Sequence, residues 1–559
     1  MERILLVEPE YRNKYPPIGL MKLATYHRGK KDYVAFYKGK APYTTLAKFD
    51  RVYVTTLFTF YYDLTVDTVR HYLNHVHKDN VFVGGISATL LREQYIRDLK
   101  MKNVIAGQLH NSSVLGYDDG VDIDALPLDY DILDDVTYAY PAGDNIFLYT
   151  TRGCPRDCEF CAVTTLEPTF KDTNSLVAQV TAVREKYGDK RNILIMDNNI
   201  LFSGQLHEVV QDLNGVGYIQ NTRNYRGVNC VALTLEKIKR RRGFGSDHSR
   251  QVAELVEYLH SFQSKVVGKD LARRYAAILV NVDSAANKLA ALNKFRKELI
   301  EITEKYRFKT TLQRYVDFNQ GLDARLLTDR KMAILSKIAI KPFRLAYDKA
   351  ADEAVYRRAF EAAYAHGVRY FSNYMLYNYT DAPYDLWKRL HSTIELYEGK
   401  PDVQAFSFPM KYAPVDATDR EFIGEKWNRK YLSAIGVIIN VTKGVVAKEK
   451  DFFYEAFGHN KKEFLEILTM PSEFIRHRML FKGHGYLSKW KRKYRSLDAR
   501  QRRLLLDYLC GSTDRERIRS KKLLSIIELY SVTKHALVCR TGQQGTRGDS
   551  GDAGFGGHL

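Results

Sequence analysis

The chain has 559 residues, 45% of them hydrophobic and 27% charged, with a formal net charge of +20 at pH 7. That length exceeds a single core and implies two to four domains, and with no run of 18 apolar residues nothing is expected to span a membrane. The six cysteines, of which Cys230, Cys510 and Cys539 are scattered, argue against a disulfide scaffold and for a reducing, cytoplasmic compartment, while the cationic surplus favours polyanionic partners such as tRNA or DNA.

Residues 1 to about 130 read as strands alternating with helices. Ile4–Val7 is a predicted strand, in a segment too short and too acidic for a signal peptide. Pro16 and Pro17 open a helix at Ile18. Predicted strands follow at Tyr33–Tyr37, Arg51–Thr55 and Val81–Val83, with an amphipathic helix near Thr65–Leu73. Such alternation implies an α/β fold with a parallel, doubly wound sheet, which binds ligands at the carboxyl ends of its strands. Gly84 and Gly85, directly after the last of these strands, would let the backbone approach a bound nucleotide tail. Residues 107–143, with carboxylates from Asp118 to Asp131, read as a solvated, turn-rich linker.

The strand-like run Asn145–Tyr149 leads into Thr150-Thr-Arg-Gly-Cys154-Pro-Arg-Asp-Cys158-Glu-Phe-Cys161. Iron–sulfur clusters are held by Cys thiolates, normally four. Three on one tight loop leave one iron without a protein ligand, the open position that a catalytic metal site keeps. Gly153 and Pro155 suit the turn that wraps such a loop. A zinc knuckle would want a fourth Cys or a nearby His, and none closely follows Cys161. The Cys-x-x-x-Cys-x-x-Cys spacing, the aromatic Phe160 and the preceding strand resemble the radical S-adenosylmethionine (SAM) enzymes. The resemblance implies a 4Fe-4S cluster on Cys154, Cys158 and Cys161, with SAM chelated at the open iron. Reductive cleavage of SAM then gives a radical that abstracts hydrogen from the substrate.

In one branch of that family a cobalamin-binding, Rossmann-like domain precedes the barrel, and residues 1–130 resemble it. The match rests on the opening strand with Pro16-Pro-Ile-Gly-Leu20, on Thr56–Thr59, and on Val83-Gly-Gly-Ile-Ser-Ala-Thr89. The Asp-x-His-x-x-Gly loop of the wider cobalamin-binding fold is absent, and Tyr37-Lys-Gly-Lys-Ala-Pro42 stands near its place. Both cobalamin binding and a scaffold role stay open for this domain.

Residues 140–410 then read as a partial (β/α)6 barrel. A helix at Leu176–Tyr187 and a strand at Asn192–Met196 end in Asp197-Asn198-Asn199. By position this tip resembles the second-strand motif that holds the SAM amino group. Residues 217–310 break the rhythm and read as a helical insertion with a basic run, Lys237–Gly243. Its two apolar stripes, Val252–Phe262 and Leu279–Ile302, suggest a two-helix hairpin. The barrel resumes with Tyr315–Leu327, where Asn319, Gln320, Asp323 and Arg325 sit where the resemblance wants groups for the SAM ribose and carboxylate. Arg325 is suited to clamp a carboxylate in a fork. Strand-like runs at Lys341–Asp348, Val368–Tyr379 and Val403–Pro409 complete six repeats, with Tyr374, Asn378 and Phe408 as adenine-pocket candidates. Residues 411–538 read as helical, including Arg420–Ser433, Lys461–Leu468 and the basic Lys489–Arg495, and 539–559 as a disordered Gly-rich tail.

The expectation is therefore a radical SAM enzyme with one 4Fe-4S cluster and SAM. Methylation assisted by cobalamin, on a nucleic acid substrate, competes with cobalamin-free hydrogen abstraction from a peptide or protein. Such an enzyme needs an electron donor such as flavodoxin or ferredoxin. A binding module with a structural cluster is the alternative of a different class.

Overall fold

The computed structural model describes residues 1–46, 48–173, 176–241, 248–307 and 310–537. The expected disordered tail at 539–559, with Cys539, lies outside the described residues, as do Arg242 and Gly243 of the basic run. The fold is mixed α/β with parallel sheets. It divides into two compact units, Met1–Ala346 with Val355–Ser372 and Ala413–Phe422, and Tyr347–Ala354 with Asn373–Tyr412 and Ile423 onward.

The first unit opens with a five-stranded sheet: β1 (Arg3–Glu8), β2 (Tyr33–Lys38), β3 (Arg51–Thr56), β4 (Val81–Gly85) and β5 (Val104–Ile105). Its order is β2-β1-β3-β4-β5, and every pairing is parallel. The order reverses at β1 and β3, the switch point beyond which ligands bind in open α/β sheets. Apolar runs such as Ile4–Val7 bury both faces, as a parallel sheet demands. Helix Tyr62–Leu73 packs Val66, Val69 and Tyr72 against this sheet. Each such side chain, once fully buried, stabilises the domain by about 1.5–3 kcal/mol.

Residues 107–143 are exposed and turn-rich in their first half, with Asp118 and Asp122 in solvent, but are not solvated throughout. They form short 3-10 turns in which Asp129 and Asp131 are 0% and 2% exposed. Asp129 pairs with Arg28 at 2.6 Å and Asp131 with Arg240 at 3.0 Å. Partner cations allow these carboxylates to be buried, since an unpaired one would be costly.

A second parallel sheet of the same unit contains β6 (Ile146–Leu148), β9 (Asn192–Ile195) and β12 (Tyr315–Phe318), with β9 in the centre. Between β6 and β9 lies the short antiparallel pair β7 (Thr151–Arg152) and β8 (Lys171–Asp172), which closes residues 153–170 into one loop. β13 (Phe343–Ala346) follows, with parallel bridges Val316↔Ile340 and Leu322↔Leu345.

The insertion is bracketed by an antiparallel ribbon, β10 (Arg223–Tyr225) with β11 (Leu312–Gln313). Instead of a two-helix hairpin its described residues form five helices, Cys230–Arg241, Ser249–Gln263, Lys269–Ser284, Lys288–Lys294 and Arg296–Lys305. They share a core of their own, including Leu235, Leu259, Val282, Leu292 and Leu299. The long apolar stripe is cut because Ala285 is extended and the Asn287 side chain accepts from the amide of Ala290, starting a new helix.

In the second unit, β14 (Tyr370–Tyr377, from Asn373 onward), β15 (Gln404–Lys411) and β16 (Val446–Ala447) are successive neighbours. β15 and β16 are antiparallel. The helix expected at Arg420–Ser433 is Arg429–Val441, begun by the Asn428 side chain accepting from Tyr431 N at 2.8 Å. Asn378 takes a left-handed backbone (φ +69°). Its amide is used within the unit, donating to Tyr412 O at 3.0 Å and accepting from Gly424 N at 2.8 Å. Tyr374 and Phe408 have ring centroids 6.2 Å apart.

Candidate metal centre

Cys154, Cys158 and Cys161 lie on the loop closed by β7 and β8, all partly exposed. The amide of Cys161 donates to Cys158 O at 2.8 Å, a turn that brings the last two thiols to the same bend. Gly153 enters the loop at φ +72°, and a Cβ there would stand 2.5 Å from Thr169 O. Only glycine fits this close approach.

The base of the loop is tied to β9. Asp197 Oδ1 accepts from the amides of Thr150 at 2.7 Å and Thr151 at 3.0 Å, and Oδ2 accepts from the Thr150 hydroxyl. The carboxylate is 3% exposed. Burial pushes its pKa up to about 6, although these donors oppose the shift. Asp197 thus clamps the loop, and both of its oxygens are engaged.

Asn198 and Asn199 extend the same tip. Asn198 Nδ2 donates to Glu167 Oε2 at 2.9 Å, and the same oxygen accepts from Gly153 N at 2.6 Å. Glu167 Oε1 accepts from Arg152 Nη1 at 2.7 Å. Arg152 in turn holds Asp124, which pairs with Lys22 at 2.8 Å. Arg152 also lies 3.4 Å from the centroid of the Tyr149 ring. This chain of charges joins the loop to the first sheet's leading helix. Asn199 Nδ2 stands 3.6 Å from Cys154 Sγ, and its Oδ1 is buried without a partner.

The far side of the loop is tied to β12. Arg156, between the first two cysteines, pairs through Nε with Asp323 Oδ2. Arg325 Nε holds Asp323 Oδ1 at 2.8 Å. Burial would raise the Asp323 pKa, but the Arg325 and Arg156 guanidiniums hold it below the usual carboxylate range. The hydrogen bond to Asp323, and then the charge of Cys158, raise the Arg325 pKa, so Arg325 stands beside the second cysteine. Asn319 is buried, its Oδ1 accepting from Tyr15 OH at 2.6 Å, and Gln320 is exposed. Phe160 is half-buried.

Gly84 and Gly85 end β4, and the helix they open, Ile86–Leu90, packs on Val163–Leu166 just beyond Cys161. Gly85 has φ +111°, and a Cβ would stand 2.4 Å from Thr56 O. The packing of β3 on β4 therefore requires this glycine. At the carboxyl ends of β1 and β2, Glu8 and Lys38 form a buried ion pair. Tyr140 donates to Glu8, and the Tyr138 ring lies 4.5 Å from Lys38 Nζ. The chain's own side chains occupy the carboxyl ends of β1 and β2.

The three thiols are not drawn together as the ligands of a single zinc ion would be. Four thiolates around one zinc stand about 3.8 Å apart, given Zn–S bonds of about 2.3 Å in a tetrahedron. The three Sγ atoms here do not all lie within 4.8 Å of one another. Among the described residues the set that does is Glu2, His27 and Asp32, where His27 and Asp32 are buried and hydrogen-bonded to each other at 2.9 Å. The partly exposed thiols, the buried unpaired Oδ1 of Asn199 beside Cys154, and the flanking Arg325 are residues that could hold a metal or cluster together with a small anionic ligand.

Sequence reasoning missed Glu167, Arg156, Arg152 and Thr150. Their pairing partners lie 14 to 167 residues away, and no local pattern marks them. The sequence matches no protein-family model and no curated protein.

Proposed function

We propose that the chain is a radical SAM enzyme that abstracts hydrogen from its substrate without cobalamin. One observation carries this reading. The three-thiol loop is fastened at one side to the tip of β9 through Asp197 and at the other to the segment beyond β12 through Arg156 and Asp323. A structural cluster needs no such pair of polar strand ends around it. Ligands of parallel sheets gather at these carboxyl ends, and the open side of the loop is flanked by polar groups the fold leaves accessible.

Cys154, Cys158 and Cys161 would hold the 4Fe-4S cluster, which when bound supplies the electron for reductive cleavage of SAM. Arg325, exposed and forked, would take the SAM carboxylate, and Asp323 fixes the orientation of that fork. Asn199 donates toward the Cys154 sulfur and so tunes the charge of that thiolate. Gln320 is the exposed amide available to the ribose. Asp197, Asn198 and Asn319 position the loop and strand tips in place of touching SAM. Cobalamin fits the first domain poorly, because Glu8, Lys38, Tyr138 and Tyr140 occupy the strand ends where its tail would enter. That domain is read as scaffold.

The test is SAM cleavage by anaerobically reconstituted protein with dithionite. The reading expects 5′-deoxyadenosine from the parent and at least a hundredfold less from Cys158→Ala. Equal product from both, or none from the parent, overturns it.

A further inference from the structure

The second unit contains a cavity of about 500 Å³ among helices Arg429–Val441, Lys450–Phe457, Ser472–Arg476 and Arg478–Gly483. That size is in the range of small-molecule sites. Its apolar wall includes Ile438, Val441, Phe452 and Met479. Val441, Phe452 and Met479 are 51%, 39% and 70% exposed, so three large apolar side chains left in water border this one cavity. A mostly apolar cavity with a few polar groups at its border has the make-up of a small-molecule site. A second depression of about 370 Å³ shares Thr442 and Phe452 with the first and continues along Val445 and Ala447. The two together make an elongated groove.

Basic groups predominate in the first depression, where Arg476, His477, Arg478 and Lys534 stand against Glu455; Glu449 borders the second, and Arg476 is paired with Glu473 at 3.6 Å. Arg478 has no hydrogen-bond acceptor among the described residues, and burial pushes its pKa down while Glu455 opposes the shift. Arg478 is only half-buried, so its guanidinium can reach into the groove and would give an anion there a forked contact. An aliphatic chain would meanwhile cover Val441, Phe452 and Met479.

We propose that this groove binds an amphipathic anion, an aliphatic chain ending in a carboxylate or phosphate, with the head on Arg478 and the chain running along Phe452 toward Ala447. The claim is independent of the cysteine loop. The test uses the full-length protein and two fluorescent probes, cis-parinaric acid and its uncharged methyl ester. The acid is expected to bind saturably at one site per chain and the ester at least tenfold more weakly. Arg478→Gln should weaken the acid at least tenfold and leave the ester within twofold. Met479→Asp, at an exposed position that does not threaten the fold, should weaken both probes. Displacement by decanoate or by decyl phosphate identifies the head group. No saturable binding, equal affinity for acid and ester, or an acid affinity unchanged in Arg478→Gln overturns the proposal. If Arg478→Gln loses its circular dichroism signature, the acid-to-ester ratio and Met479→Asp decide alone.

Discussion

Asp197 uses both carboxylate oxygens to hold the first residues of the cysteine loop. Replacing it by Ala leaves two backbone amides buried without acceptors, at about 1–3 kcal/mol each. Asp197→Ala is therefore expected to lower the unfolding free energy by about 3 kcal/mol and to reconstitute with less iron, checked by urea unfolding and iron assay. The carboxyl also carries a pH signature. Its folded-state pKa of about 6 lies above the ordinary 3.8. The stability it supplies is fully present below about pH 4 and is lost as pH rises through about 6, a span worth on the order of 3 kcal/mol. Asp197→Asn should flatten the parent's fall in urea midpoint between pH 4.5 and pH 7, and an unchanged slope would contradict this role. Asn199→Ala removes a donor from the Cys154 sulfur. The cluster's reduction potential is expected to become more negative while its iron content holds, read by redox titration of the electron paramagnetic resonance signal. At this scale the thiols were legible because their spacing is local. Asp323 was legible as a strand-tip residue but not as Arg156's partner, since the two are 167 residues apart and only the fold joins them.

Among elements, the turn after β4 carries the sharpest constraint. Gly85→Ala would force a Cβ to 2.4 Å from Thr56 O at a positive φ. It should destabilise the first sheet by about 2–4 kcal/mol, measured as a drop in thermal midpoint, and a neutral outcome would remove the packing account of this glycine. The parallel strands at residues 3–85 were readable because continuous apolar runs alternate with amphipathic helices. The burial of Asp129 and Asp131 within 107–143 was not legible because composition cannot tell a solvated carboxylate from one paired with Arg28 or Arg240. The insertion's helices were visible as apolar stripes. Their breaks were not, because Asn287 acts as a cap only in the geometry the fold gives it. The short edge strand β16 was missed for want of length, two residues giving no periodicity.

For the molecule as a whole, the +20 charge was legible at once but assigns no partner by itself. The second unit exposes Lys482, Lys489, Arg492, Arg500 and Arg503 along neighbouring helices, whereas Arg495 is engaged by Glu466. Affinity for a tRNA-sized RNA is expected to fall at least tenfold between 50 and 200 mM salt. The triple change Lys489→Glu, Arg492→Glu and Arg500→Glu should flatten that dependence. Absence of binding at 50 mM would remove nucleic acid as the partner and favour a polypeptide substrate. The most direct measurement for the account is iron, sulfide and cobalamin content of one anaerobically reconstituted sample, with electron paramagnetic resonance of the reduced protein before and after adding SAM. The account predicts about four irons and four sulfides per chain, no cobalamin, and a signal that shifts when SAM binds the open corner. Bound zinc without iron, or a four-iron signal indifferent to SAM, would contradict it.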